Sequence, residues 1–240
     1  INNVIHINSG LIIYCSDYVA LVSVLAHEIG HIDLNHITIR KKTIEESKKL
    51  NLIGALSVIA GSTLTQNPQL LQGGILTSAA LSNQYIVFSK DQEMEADLYA
   101  LKTLNLLNIN SKSIQTLLET IEEKLLDKGF SKDKQKISTH PYFEDRIALI
   151  KNFQDNNEKK FNPKYNESFN YIKAKFIGYS DNEEVLKELN EPFKTYAESI
   201  KISKKGNLKM SLQSLNEIIR KYKENYFLLE TKADILFSHG

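Results

Sequence analysis

Apolar residues are dense along Asp17–Ile39, and their arrangement predicts a buried helix. They occupy nearly every side of that helix, at Val19, Leu21, Val22, Val24, Leu25, Ile29 and Ile32. A helix that is apolar all round is typical of a protein interior. Ser16 or Asp17, just before the apolar run, is suited to cap its first turn.

The segment before this helix has a different pattern. Val4–Tyr14 is rich in β-branched residues and is interrupted by the turn-prone sequence Asn8-Ser9-Gly10. This pattern predicts a strand, a kink and a second strand. Such a strand is either an ordinary member of a small sheet or an edge that can pair with an extended peptide.

Two apolar segments and one amphipathic segment follow the buried helix. Leu52–Leu64 and Pro68–Ser82 are rich in small apolar residues and predict two helices. These are either core helices or, over residues 52–82, a mobile lid that is most flexible at Gly73-Gly74. Ser111–Lys128 predicts an amphipathic helix.

The character of the chain changes after Phe153. Residues 154–167 are polar and predict a linker. Helical patterns then follow at Phe169–Tyr179, Glu183–Asn190, Pro192–Lys204, Leu208–Tyr222 and Tyr226–Ser238. Gly206 and Gly240 close helices of similar pattern and lie 34 positions apart, which is the tetratricopeptide period. Residues 168–240 are therefore predicted to be a tetratricopeptide-like region that continues past Gly240, with an irregular helical tail as the alternative.

Composition narrows the class of protein. The 240 residues carry a formal net charge of +1, so no nucleic-acid-binding surface is expected. The single cysteine, Cys15, excludes an intramolecular disulfide and a cysteine-built metal site. No apolar run reaches the length of a transmembrane segment, and no signal peptide is visible. The first and last residues suggest a segment of a longer protein.

The buried helix carries the sequence His27-Glu28-Ile29-Gly30-His31, which is an H-E-x-x-H motif. Residues four apart share one face of a helix, so His27 and His31 can bind the same metal ion. Glu28 points about 100° away from His27, a poor position for a ligand. From there it can reach a water molecule on the metal, as a general base does.

His36 needs a separate interpretation. On a continuous helix it would face away from His27, so it is expected to be structural or to support a ligand. Leu34 and Ile37 stand where the longer metzincin motif has glycine and histidine. The third protein ligand is therefore expected elsewhere in the chain.

The helix-forming segment at residues 89–100 offers suitable carboxylates. Glu93 and Asp97 are four residues apart and share a face. One carboxylate can bind the metal while the second accepts the N–H of a ligand histidine. We expect Glu93 as the ligand and Asp97 as the supporting carboxylate, with Glu95 as the alternative ligand.

These motifs resemble those of the HtpX/BepA group of gluzincin zinc metallopeptidases. The resemblance covers about residues 3–153 and includes a third motif, His140-Pro141 followed by Arg146. His140 fits an oxyanion donor or a fourth zinc ligand, and otherwise a helix cap. Arg146, one of only three arginines, suits a carboxylate clamp or a contact with a substrate carbonyl.

The resemblance implies an α+β, mainly α fold: a zincin-type catalytic domain with a small β-sheet over residues 1–153, then the linker and the repeats. It also implies a zinc endopeptidase with one Zn²⁺ per chain. The expected substrates are misfolded or stalled proteins of the periplasm or cell envelope, and an assembly partner would bind the repeats. The competing hypothesis is a zinc-stabilised scaffold or chaperone with weak proteolysis.

Overall fold

The fold is taken from a computed structural model of the chain. It describes residues 4–36, 90–129, 143–153, 161–180 and 182–240, together with helical positions 38–39, 41–42, 45–46 and 49. Contacts divide the chain into two compact units, one formed by residues 22–159 and one by residues 4–21 with 160–240. The predicted division into domains stays a prediction.

The first unit is built from helices around a small apolar core. Helix α2 (Tyr18–Asp33), whose residues from Val22 onward belong to this unit, carries the H-E-x-x-H motif, and helix α3 covers residues 90–106. The unit also contains helices α4 (Lys112–Asp127) and α5 (Phe143–Asn152). The core joins α3, α4 and α5 through Leu101, Ile114, Leu118, Phe143, Ile147 and Ile150.

Helices α2 and α3 approach each other closely at Gly30. A Cβ atom added there would lie 3.1 Å from the Cβ of Tyr99, which is a tight contact, so even alanine would require Tyr99 to shift slightly. Ala96 and Ala100 are completely buried on α3. Small residues on both helices thus allow the polar groups of the motif to meet those of α3.

The second unit is also helical. It contains α1 (Ser9–Tyr14), α6 (Pro163–Tyr179), α7 (Glu183–Glu188), α8 (Phe193–Lys204), α9 (Leu208–Lys221) and α10 (Tyr226–Ser238). Tyr171 and Tyr196 are the largest of its fully buried side chains. Asparagine side chains cap α6, α7, α9 and α10, each accepting a backbone N–H from the first turn.

The prediction of strands over Val4–Tyr14 is wrong at Ser9–Tyr14, which is helical. Ser9–Tyr14 forms α1, and none of the described residues lies in a β-strand. Asn8 caps this helix by accepting the Gly10 N–H at 2.8 Å, and Ile13 joins the apolar core of the second unit. Packing and a cap have overridden the strand preference of the β-branched residues.

The helices predicted after Phe153 are all present, with small shifts at their ends. Helix α6 begins at Pro163, inside the predicted linker, because Asn162 caps it and proline suits the first helical position. Gly206 and Gly240 both have left-handed backbones, with φ of 83° and 93°. The tetratricopeptide assignment stays a prediction. No helix of the described residues is long and apolar enough to cross a membrane.

Candidate metal centre

Helix α2 presents two buried histidines on one face. The Nε2 atoms of His27 and His31 are 3.0 Å apart, and their rings are nearly perpendicular. The two side chains are in the interior of the first unit, with 3% and 6% of their surface exposed. This is the arrangement that the four-residue spacing predicts.

Glu93 on α3 completes the group. Its Oε2 lies 3.4 Å from the Nε2 of His27, and its Oε1 lies 3.3 Å from the Nε2 of His31. The Glu93 side chain is fully buried. His27, His31 and Glu93 therefore form a cluster of three donors that can hold one metal ion.

The donor set fits zinc. Zinc binds histidine nitrogen and carboxylate oxygen at about 2.0–2.2 Å in a tetrahedron, which places neighbouring donors about 3.3–3.5 Å apart. The two oxygens of Glu93 lie at this spacing, one 3.4 Å from His27 and the other 3.3 Å from His31, and the two histidine Nε2 atoms are slightly closer at 3.0 Å. Two histidines and one glutamate also form a known catalytic zinc set.

Asp97 contacts the Nδ1 edge of the His27 ring, opposite the Nε2 atom that faces the cluster. The His27 Nδ1 is 2.8 Å from the Asp97 Oδ1, so the carboxylate can accept the Nδ1–H and leave Nε2 free to bind metal. Glu93 and Asp97 occupy one face of α3, as their spacing predicts. One helix therefore carries both a carboxylate that could bind a metal and a carboxylate that contacts another possible ligand.

Arg146 on α5 lies behind both carboxylates. Its Nε donates to the Asp97 Oδ2 at 2.6 Å, and its Nη2 donates to Oδ1 at 2.8 Å. Its Nη1 is 3.2 Å from the Glu93 Oε2. Of the two roles expected from the sequence, these contacts correspond to the carboxylate clamp.

The charges of this cluster favour a bound cation. Burial raises the pKa of Asp97, but the hydrogen bonds and charge of Arg146 outweigh it and hold the pKa below its ordinary value. Burial lowers the pKa of His27, but Asp97 and Glu93 more than reverse this and raise it. When both histidines are neutral, two buried carboxylates against one guanidinium leave a net negative charge, which a metal dication would offset.

Glu28 is half-buried, next to His27 in the sequence. Burial lowers the pKa of Arg146, but Asp97 and Glu93 together with the charge of Glu28 raise it overall. The Glu28 carboxylate is therefore within electrostatic range of the same cluster. The role of Glu28 as a general base stays a prediction.

His36 contacts His31, contrary to the prediction that it faces away. Helix α2 ends at Asp33, and Asn35 has a left-handed backbone with φ of 57°. The chain therefore turns, and the His36 Nδ1 lies 3.0 Å from the His31 Nδ1. Its Nε2 is 3.0 Å from the Oε2 of Glu95, the alternative ligand, which is absent from the donor cluster.

Some predicted elements of the site lie outside the described residues. These are His140 and the possible lid at residues 52–82. The contact between His36 and Glu95 was not predicted from the sequence. The sequence did contain an indication of this contact, since His36 and Glu95 are polar residues that follow the predicted ligands His31 and Glu93 by five and two positions.

The family of the chain follows from its match to the Peptidase family M48 model over residues 1–154. The chain belongs to this family, so it is placed among metallopeptidases, as its motifs predicted. Among curated relatives, the Beta-barrel assembly-enhancing protease of Escherichia coli (strain K12) is 29% identical over 180 residues. The protein of the same name from Yersinia pestis is 26% identical over 179 residues.

Both alignments cover 74% of this chain and 35% of the relative. A Putative beta-barrel assembly-enhancing protease of Vibrio cholerae is 25% identical over 145 residues, which is 59% of this chain and 29% of the relative. The chain thus spans about a third of the length of these proteins. No solved structure matches it.

Proposed function

We propose that this chain is the catalytic part of a zinc-dependent endopeptidase. The observation that carries the proposal is the buried cluster of His27, His31 and Glu93, whose spacing suits one tetrahedral zinc ion. Zinc bound there would supply a Lewis acid that makes water a nucleophile near neutral pH. Membership of a peptidase family supports the same chemistry.

In this proposal, Glu28 is the general base. Its carboxylate removes a proton from the attacking water and then passes that proton to the leaving amine. Asp97 holds the Nδ1–H of His27 and thereby directs Nε2 toward the metal. Arg146 holds the Asp97 carboxylate and also contacts Glu93, and His140 is proposed to stabilise the oxyanion or to act as a fourth ligand.

The substrates are proposed to be misfolded or stalled proteins of the periplasm or cell envelope. This rests on the names of the relatives, which describe proteases that enhance beta-barrel assembly. We further propose that residues 168–240 form tetratricopeptide-like repeats that bind substrate or an assembly partner. The expected small β-sheet of the catalytic domain is likewise a proposal.

The test is the Glu28→Gln variant, which keeps the size of the side chain but removes the base. With zinc content matched to wild type, cleavage of casein should fall about 10²- to 10⁴-fold. The exposed Glu123 on α4 offers a matched control, and Glu123→Gln should cleave at the wild-type rate.

Two results would count against the proposal. A Glu28→Gln protein that retains zinc and cleaves at the full rate would remove Glu28 from the mechanism. A folded wild-type chain that binds zinc but cleaves no casein or unfolded polypeptide would instead favour a zinc-stabilised scaffold.

A further inference from the structure

We propose that His36, backed by Glu95, is a positioning residue that orients the metal ligand His31. This inference rests on the proposed zinc site. His36 does not belong to the donor cluster, and the three residues of that cluster can be assigned without it. Its role would be to hold the His31 ring in the orientation and tautomer that zinc binding needs.

The contact between the two rings is direct and buried. The Nδ1 atoms of His31 and His36 are 3.0 Å apart, and the ring planes meet at 74°. His36 is 3% exposed. Its backbone is held as well, because the Gln92 side chain donates to the His36 carbonyl oxygen at 3.1 Å.

Metal binding would determine which ring nitrogens of His31 and His36 carry a proton. If the His31 Nε2 binds zinc, a neutral His31 carries its proton on Nδ1 and donates it to the Nδ1 of His36. The remaining nitrogen of His36, Nε2, then carries a proton and faces the Glu95 Oε2 at 3.0 Å. An ionised carboxylate only accepts hydrogen bonds, so Glu95 can accept this proton. Each contact from Glu95 to the metal ligand His31 then has one donor and one acceptor.

The two ligand histidines are therefore supported differently. His27 contacts Asp97, which is fully buried and paired with Arg146. His31 contacts a second imidazole, whose own carboxylate partner, Glu95, has 63% of its side chain exposed. Water can replace an exposed carboxylate more easily than a buried imidazole, so His36 should matter more than Glu95.

The experiment measures zinc affinity by competition with a chromophoric chelator, using the full 240-residue chain. His36→Leu fills the space but offers no acceptor, and its zinc affinity should fall about 10- to 100-fold. In His36→Asn, the amide oxygen takes the place of the ring Nδ1, so it should recover most of that loss. Glu95→Gln can still accept the His36 proton and should stay within about threefold of wild type.

A second readout separates positioning from general destabilisation. In the cobalt-substituted protein, the visible absorption bands report the ligand geometry, and His36→Leu should shift them while His36→Asn restores them. His6 is an exposed histidine of the second unit, and His6→Leu should change neither the affinity nor the bands. Circular dichroism of each metal-free variant verifies that it is folded.

The outcomes distinguish this inference from the proposed function. A folded wild type that takes up no zinc would overturn the proposed metal site itself. One zinc per wild-type chain, with His36→Leu unchanged in affinity and spectrum, would overturn only the role of His36. If His36→Asn is as impaired as His36→Leu, a hydrogen-bond acceptor at this position is not what supports His31, and the inference is also overturned.

Discussion

Arg146 holds Asp97 with two parallel hydrogen bonds, from Nε to Oδ2 at 2.6 Å and from Nη2 to Oδ1 at 2.8 Å. Both side chains are almost completely buried. Such a pair is costly to break, because removal of one partner leaves the other as an uncompensated charge in the interior. The pair thus connects the side chain that contacts His27, a candidate metal ligand, to the stability of the first unit.

Replacement of Arg146 by alanine should therefore lower the free energy of unfolding by about 3–5 kcal/mol. Arg146→Lys, which keeps the charge but loses the planar fork, should fall between wild type and alanine. Urea unfolding of the metal-free proteins measures both. The partly exposed pair of Lys90 and Asp145 provides a control, and Asp145→Ala should cost less than about 1 kcal/mol. A similar cost for both alanine variants would contradict the prediction.

The choice between Glu93 and Glu95 as the metal ligand can be tested by metal content. Glu93 lies against both Nε2 atoms, whereas Glu95 contacts His36. Purified wild type and Glu95→Ala should each contain one zinc per chain by plasma mass spectrometry, and Glu93→Ala should contain far less. The opposite pattern would transfer the ligand role to Glu95.

The stability of the chain should also decrease in alkaline solution because of Cys15. Burial raises the pKa of its thiol from 9.0 to about 12, although the nearby Lys173 lowers it slightly. Above pH 9 the unfolded chain loses the thiol proton while the folded chain keeps it. The unfolded state binds fewer protons, so the free energy of unfolding falls as pH rises.

Between pH 8 and pH 10 this effect amounts to about 1.4 kcal/mol. Cys15→Ala lacks the thiol, so the stability difference between wild type and this variant should shrink by that amount over the same range. Urea unfolding at pH 8, 9 and 10 measures the change. A difference that stays constant with pH would show that the thiol ionises equally in the folded and unfolded chains.

Much of the candidate site could be predicted because it depends on local spacing. The four-residue intervals from His27 to His31 and from Glu93 to Asp97 place each pair on one helix face, whatever the rest of the fold. The helices after Phe153 were also predicted, from helical patterns that are local in sequence, whereas α1 of the same unit was not.

The parts that could not be predicted depend on contacts distant in sequence or on single backbone angles. Ser9–Tyr14 has the composition of a strand, yet its asparagine cap and the packing of Ile13 favour a helix. The predicted orientation of His36 was wrong because the prediction assumed that the helix continues past Asp33. The partners of Arg146 depend on how α5 packs against α3, which no local pattern specifies.

The turn after α2 makes the region sensitive to changes in length. Asn35, with φ of 57°, is one of two non-glycine residues with positive φ in the described part of the chain, and it returns His36 to His31. Asparagine tolerates this backbone, so glycine could replace it with little strain. Insertion or deletion of one residue between Asp33 and His36 would instead displace the second imidazole from the first. Related sequences that conserve the imidazole pair should therefore vary in composition here but not in the number of residues.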